Sequence, residues 1–467
     1  MDEAPDPRRW KALTVCLVAG FMTLLDVSIV NVALPSIKIG LGAGDNELQW
    51  IVSGYALTLG LLLVPAGRAG DAHGRRMVFM TGVALFSLAS AVCGLAPSAG
   101  VLIAARLLQG CAGGLITPQI SGFIQTLFQG QERGVAFGLF GTVVGTSTAI
   151  GPLLGGALIA LFGTDEGWRA VFFVNLPVGV VALVLAMRYL PAPEPGDPGR
   201  TALDPLGVAL LGAGVVCTLV PFIEQRSWHS PLRPALFGVA AVLLALWVWH
   251  ERRYGRRHEP LVSLDLFAIR SYVLGAGVGI LYFAGFTGVF FILTQYLQLG
   301  LGYPAWKAGL SATPFAVGSA LTAAIGGRQA LRRGRKLVAF GLGTVFAGLA
   351  LVWVAVDVEP GHDVALYTAL PLLLTGMGGG LVISPNQTLT LSQVPVRRAG
   401  SAGGVLQTGQ RIGSAAGIAI TGSVFYTALA STGGDFATSF RRGVMVIAGF
   451  VVAAFALAMV DVLTPGG

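Results

Sequence analysis

Among the 22 acidic residues of this 467-residue chain, Asp26 alone sits deep inside a long apolar run; the others lie in loops or within a turn or two of a run's end. A charge at the centre of a bilayer costs at least about 2.5–3.5 kcal/mol, which argues against a passive role. At 1.5 Å per residue, Asp26 lies roughly 22 Å from the start of its run, while Arg106, entering from the opposite side, lies roughly 12 Å from the far end of its own. In a span of roughly 30–35 Å those depths coincide, so the two side chains are expected to approach each other in at least one state. Burial raises a carboxyl group's pKa and a nearby guanidinium lowers it, so a changing separation would load and unload a proton. Arg106 stays charged throughout. Asp26 is thus the expected proton carrier and Arg106 its partner; the competing reading is a static ion pair that ties two helices together.

Other polar and flexible positions could do further work. Gly67 to Arg76 reads G-R-A-G-D-A-H-G-R-R. Gly67, Gly70 and Gly74 permit tight turning and close helix approach. Asp71 with Arg68, Arg75 and Arg76 could form a charge network that latches one conformation and is released in another; a plain basic loop is the simpler reading. The stretch Gly141 to Gly156 carries small residues at intervals that let helices approach closely, and Pro152, among Gly151, Gly155 and Gly156, supplies a bend. Arg411 is a second deep cation that must face inward. Asn31, Gln295 and Asn386 could line a cavity, as could the aromatic face of Tyr282, Phe286 and Phe290, although interhelical bonding and ordinary packing would also account for them.

The elements that must position these groups follow from composition. The chain is 54% hydrophobic and 11% charged, which leaves a membrane protein as the only class. Apolar runs of about 20 residues, long enough to cross the hydrocarbon, recur about fourteen times. The first begins after Arg8, Arg9 and Lys11 and carries Asp26 instead of a small-residue cleavage site, so it reads as a true span and not a removable signal. Lys and Arg crowd the short segments on the side of the N-terminus, notably Arg252 to Arg257 and Arg332 to Lys336, which puts both termini in the cytoplasm. The net charge of +8 is thereby explained by orientation and does not call for nucleic acid. Cys16, Cys93, Cys111 and Cys217 have no pairwise motif, and no metal-ligand cluster, HExxH, Ser/His pair or nucleotide loop appears. His73, His229, His250, His258 and His362 fall at boundaries or in loops, so catalysis is not expected.

An offset of 266 residues pairs Gly110, Gly113, Gly114 and Leu115 with Gly376, Gly379, Gly380 and Leu381. It also pairs Gly134, Gly138, Thr142 and Gly151 with Gly400, Gly404, Thr408 and Gly417 in the next run. With a six-residue shift, Gly67, Arg68, Gly74 and Arg75 match Gly327, Arg328, Gly334 and Arg335. This is a parallel duplication of six spans. The runs near 205–222 and 232–249 have no counterpart and lie between the halves. The expected organisation is a six-helix bundle over 1–190, linkers and two additional helices over 191–271, with Pro191 to Gly199 and Glu251 to Arg270 as linkers, and a second six-helix bundle over 272–467.

The decapeptide at Gly67 resembles the loop signature of the major facilitator superfamily, and its degenerate copy at Gly327 to Lys336 carries Leu331 where the aspartate would be. L-D-V-S-I-V-N-V-A-L-P from Leu25 to Pro35 resembles the first-helix motif of the fourteen-span drug:proton antiporters. R-L-L-Q-G from Arg106, G-P-L-L-G-G from Gly151, W-R-A-V-F-F-V-N-L-P from Trp168 and Y-L-Q from Tyr296 agree with it. The resemblance implies an all-α polytopic fold with two pseudo-symmetric six-helix bundles plus two helices, in a multi-pass cell-membrane protein, and a monomer. It also implies proton-coupled efflux of drugs, antibiotics or other amphipathic compounds without a cofactor, with Asp26 and Arg106 in the coupling roles and an antiporter-type helix around Pro152. With one buried acid, neutral or monovalent substrates are expected over dications. A proton symporter or importer, and a receptor or scaffold, are the alternatives.

Overall fold

Helix is the only regular structure that lets an isolated run satisfy its backbone polar groups in lipid without closing a barrel, and the apolar runs all become helices. The structure, a computed structural model, describes residues 7–163, 165–191, 204–223 and 232–464. Of the expected Pro191 to Gly199 linker, all but Pro191 lies outside the described residues, as does His229. Fourteen helical stretches among the described residues are long and apolar enough to cross a membrane.

In chain order they are α1 (Arg9–Leu41), α2 (Asp45–His73), α3 (Arg75–Gly94), α4 (Ala99–Leu127), α5 (Gly130–Phe162), and the broken span α6 (Gly167–Phe173) and α7 (Asn175–Tyr189). There follow α8 (Pro205–Ile223), α9 (Leu232–Tyr254), α10 (Arg270–Gln295), α11 (Ala305–Arg333), α12 (Arg335–Val358), α13 (Val364–Leu391), α14 (Ala399–Ser431) and α15 (Phe436–Leu463). The sixth span, expected as one uninterrupted run over 170–190, breaks at Val174. Pro177 has no N–H to offer the Phe173 carbonyl and its ring crowds that turn, which sets Asn175 at the start of a fresh helix. At the opposite extreme α10 runs on into a π-helical turn, Tyr296–Gly300.

The chain divides into two compact units. The first takes Met1–Gln129, Ala157–Ile269 and Val394–Thr408; the second takes Gly130–Gly156, Arg270–Gln393 and Gly409–Gly467. In the first, α4 packs against α2 and α3, α1 closes on α7, α4 and α6, and the α8–α9 hairpin leans on α2. In the second, α13 packs against α11 and α12, and α15 against α10 and α12. The turns at Gly74 (φ 97°) and Gly334 (φ 56°) both need positive φ, which glycine adopts at little steric cost, so the paired glycines of the repeat occupy equivalent sharp corners.

Candidate functional site

Five elements of the first unit converge on Asp26. The residue sits in mid-α1 with 0% of its surface exposed. Arg106 Nη1 on α4 lies 2.5 Å from Asp26 Oδ2. Oδ1 accepts from Gln109 Nε2 at 2.9 Å and from Asn175 Nδ2 at 2.9 Å. Gln109 stands on the same face of α4, one turn beyond Arg106, and Asn175 is delivered by the break between α6 and α7. The outer layer is equally committed. Arg106 donates to Gln109 Oε1 at 2.8 Å and to the Ile51 carbonyl at 3.1 Å, and its guanidinium lies over the Tyr55 ring, 4.2 Å from the centroid. Ser90 on α3 accepts from Asn175 at 3.0 Å and from Gln109 at 3.3 Å while donating to the Phe172 carbonyl at 2.9 Å.

Arg106, Gln109 and Asn175 thus all donate to Asp26. That cage fits an ionised carboxylate, which only accepts; a protonated one would bring an O–H into a ring of N–H groups. Taking up a proton accordingly goes with rearrangement of the cage, either a turned amide of Gln109 or Asn175 that offers its oxygen or a withdrawal of Arg106 from Oδ2.

The loop candidates gather near the α2–α3 corner, within the same unit. Asp71 accepts from Arg75 Nη2 at 2.9 Å and from the backbone N–H groups of Gly400 and Ser401 at 3.0 and 2.9 Å. Those two N–H groups open the first turn of α14, where unpaired donors and the helix dipole favour an anion. Arg75 spreads further to the carbonyls of Gly122 (3.1 Å) and Val396 (2.8 Å) and to Thr126. Gly67 lies against Gly400 so closely that a Cβ would stand 2.6 Å from the Gly400 carbonyl carbon, and a Cβ on Gly70 would stand 2.7 Å from Gln119 Cδ. Arg68 instead pairs with Glu259 at 2.6 Å, and that hydrogen bond holds the Glu259 carboxyl below its ordinary pKa. Arg76 donates to the Met187 carbonyl at 2.6 Å.

The remaining candidates fall in different places. Asn31 is exposed and its amide donates to the Val27 carbonyl of its own helix at 3.1 Å. In the second unit, α5 meets α11 along small residues: Gly134 against Gly327, Gly138 against Ala323, Pro152 beneath Gly309, and Gly156 facing Trp306. Gly151 and Gly155 are buried. Tyr282, Phe286 and Phe290 stack into one cluster with Phe315. Two voids beside it, with Phe286 in the walls of both and Tyr282 in those of one, measure about 10 Å³ each, room for a water and far below the several hundred Å³ a drug-sized ligand fills. Gln295 bonds to the Tyr426 hydroxyl. Asn386, expected on a cavity wall, is instead 3% exposed and occupied on both sides: its oxygen accepts from Arg335 and its nitrogen donates to the Gly275 carbonyl at 2.8 Å. Arg411 is partly buried on α14.

Gln109, Asn175, Ser90, Glu259 and the start of α14 were not singled out from sequence. The first two lie inside the quoted R-L-L-Q-G and V-N-L-P stretches, and a single buried acid with only one cation beside it already called for further donors. The degenerate loop copy has its own answer to the missing acid. Arg335 pairs at 2.7 Å with Asp461 of α15, a residue far from Leu331 in the chain.

A family model described as Major Facilitator Superfamily matches residues 16–418. The chain is 36% identical over 436 residues to a probable actinorhodin transporter of Streptomyces coelicolor, covering 91% of this chain and 74% of that one. It is 36% identical over 447 residues to the puromycin resistance protein pur8 of Streptomyces alboniger (94% and 86% covered). To the cephamycin export protein CmcT of Amycolatopsis lactamdurans it is 32% identical over 461 residues (97% and 91%). Among solved structures, the human organic anion transporter MFSD10 superposes with a TM-score of 0.69 at 16% identity, covering 97% of this chain and 100% of that one. The proton:xylose symporter XylE also gives 0.69, at 14% identity (99% and 97% covered). These two likenesses speak to the fold.

Proposed function

The chain belongs to the Major Facilitator Superfamily, a family of membrane transporters and not enzymes, and from that premise we propose that it exports small amphipathic compounds in exchange for protons. In this reading it works as a monomer in the cell membrane with both termini in the cytoplasm, and its two six-helix halves, 1–190 and 272–467, alternate around a central path, an exchange in which the helices of 191–271 are not a third half.

The observation that carries the reading is the donor cage around Asp26. Its carboxylate is fully buried, and Arg106, Gln109 and Asn175 all donate to it in the present arrangement. Protonation and cage geometry are thus mutually dependent, which is the property a carrier needs. When a proton arrives, Asp26 loses its charge and Arg106 keeps two acceptors, the Ile51 carbonyl and Gln109 Oε1, together with the Tyr55 face. The cation therefore need not be left without partners, and α1 and α4 become free to shift relative to each other. The contact of Asp71 with the first turn of α14 is read as the latch of the present conformation. The small residues of α5 are read as the antiporter-type helix.

Export over import is supported by the relatives, several of which are named for resistance or export. The aromatic set Tyr282, Phe286 and Phe290, with Gln295, Asn31 and Arg411, is proposed to meet substrate in another conformation. Asn386 belongs to that proposal only if Arg335 lets it go. With one deep acid, neutral or monovalent compounds fit best, an antibiotic or other secondary metabolite among them. A single proton moving down about 150 mV supplies about 3.5 kcal/mol, and each pH unit adds about 1.4 kcal/mol, enough for a substrate gradient of roughly a few hundred-fold.

The test is transport in everted vesicles from an efflux-deficient host, over a panel of antibiotics and dyes, with and without an uncoupler. Substrate should accumulate only with the proton gradient, and Asp26→Asn should abolish that accumulation. Retained uncoupler-sensitive accumulation by Asp26→Asn removes Asp26 as carrier, and accumulation only under the opposite gradient makes the protein an importer.

A further inference from the structure

The α8–α9 hairpin holds a cluster of ionisable groups that the transport reading leaves unused. Asp204, just before α8, is 3% exposed, and Glu251, near the end of α9, is 2% exposed. Asp204 Oδ1 accepts from the Gly207 N–H at 3.0 Å, the N-terminal cap of α8, and its Oδ2 lies 2.7 Å from His250 Nε2. Glu251 Oε2 accepts from the Leu261 N–H at 3.1 Å, which ties the segment after α9 back to the hairpin. Its other oxygen, Oε1, is buried and has no hydrogen-bond partner. Both acids converge on the face of Gly207, where a Cβ would touch Asp204 Oδ2 and come within 3.2 Å of Glu251 Oε1.

Two neighbouring buried carboxylates, one of them paired with an imidazole and the other with an oxygen unpaired, form an incomplete set. A buried acceptor without a donor costs roughly 1–3 kcal/mol, and more when charged, and two adjacent carboxylates do not readily ionise together. One proton on Glu251 removes both penalties, because it removes one of the two adjacent charges and makes the unpaired carboxyl a donor beside Asp204. A metal ion is the wrong ligand here: among the described residues no three His, Cys, Asp or Glu groups come together at ligand spacing. We propose that Asp204, His250 and Glu251 form a proton-binding site on the additional hairpin, separate from Asp26, in which Glu251 carries the proton and His250 holds the charge of Asp204.

The surrounding ionisable groups leave the site to itself. On α9, Arg252 and Arg253 are exposed, and Tyr254 stacks between His250 (5.5 Å) and His258 (4.7 Å). In the following segment Glu259 is taken by Arg68 of α2, and Arg398 is taken by Ser263 and Asp265. On α8 the only other ionisable side chain is Cys217. One turn before Glu251, Trp247 presents a buried indole N–H beside the Glu251 carboxyl, without closing to full hydrogen-bond geometry. It is the donor left to the Glu251 carboxylate when the proton leaves.

The experiment is an infrared pH-difference spectrum of the purified full-length protein in nanodiscs. The wild type should show the C=O stretch of a buried carboxylic acid that disappears on raising the pH, and E251Q should lose that band. D204N keeps an amide oxygen for the Gly207 N–H and serves if E251Q is not monodisperse; it should move the band's midpoint by a pH unit or more. Spectra of the wild type that superpose on those of E251Q or D204N overturn the proposal. The band should persist in D26N, so its presence is judged independently of proton-coupled export.

Discussion

Exchanging both members of the buried pair separates a proton carrier from a structural clamp. Asp26→Asn leaves the Arg106 guanidinium, 1% exposed, without a counter-charge and with only neutral acceptors, the amide oxygen of the new side chain, the Ile51 carbonyl and Gln109 Oε1, and puts an amide N–H₂ into a cage already made of donors. Arg106→Gln does the converse and leaves a buried carboxylate with the two amides of Gln109 and Asn175. Removing one partner of a buried ion pair costs about 3–5 kcal/mol, whereas replacing both charges costs far less. The double variant Asp26→Asn/Arg106→Gln should therefore be more stable than either single variant, with a coupling energy of roughly 1–3 kcal/mol. Thermal unfolding in detergent reads the stability side. Substrate-driven alkalinisation in proteoliposomes carrying a trapped pH dye reads the coupling side. The expected pattern is recovered stability without recovered proton movement. Recovery of both would reduce Asp26 to a clamp, and single variants that each lose less than about 1 kcal/mol would mean that the pair is not closed as described.

Other outcomes follow from the same geometry. Gly67→Val should cut transport at least tenfold with expression retained, because its Cβ must enter the Gly400 backbone; near-wild-type uptake in everted vesicles would refute the close approach. Asp71→Asn keeps one acceptor but loses the charge held by Arg75 and the two N–H groups of α14, and should also slow transport while the substrate range stays the same in a resistance panel. Phe286→Ala opens a cluster that touches Tyr282, Phe290 and Phe315 and should change relative resistance among compounds more than overall pumping; a uniform change across the panel would count against substrate contact. Glu259 is held below its ordinary pKa by the Arg68 hydrogen bond, so its stabilisation is present above the unfolded value of about 4.3 and fades as pH falls through the lower folded value. Glu259 is about half exposed, so the effect stays under about 1 kcal/mol, and the difference in unfolding midpoint between wild type and Glu259→Gln should vanish at acid pH.

The sequence alone determined the number of spans, their apolar character and the depth of Asp26 and Arg106, because bilayer thickness and helix rise convert residue counts into ångströms. The repeated glycines identified equivalent corners in the same way: Gly74 and Gly334 both turn out to carry the positive φ that other residues resist. What depth could not supply was azimuth. Two residues at one level can point anywhere around their helices, and only packing turned Gln109 and Asn175 toward Asp26 while giving Asn386 to Arg335 and Gly275. The kink before Asn175 was latent in Pro177, yet its effect, a donor aimed at the buried acid, exists only when α1, α3 and α7 are assembled. Likewise the partner of Arg335 proved to be Asp461, and Asp71, besides Arg75, proved to hold backbone N–H groups of a helix more than three hundred residues away. Pairings of that kind are set by which helix ends meet in space, and a linear pattern of polar and apolar residues carries no record of that.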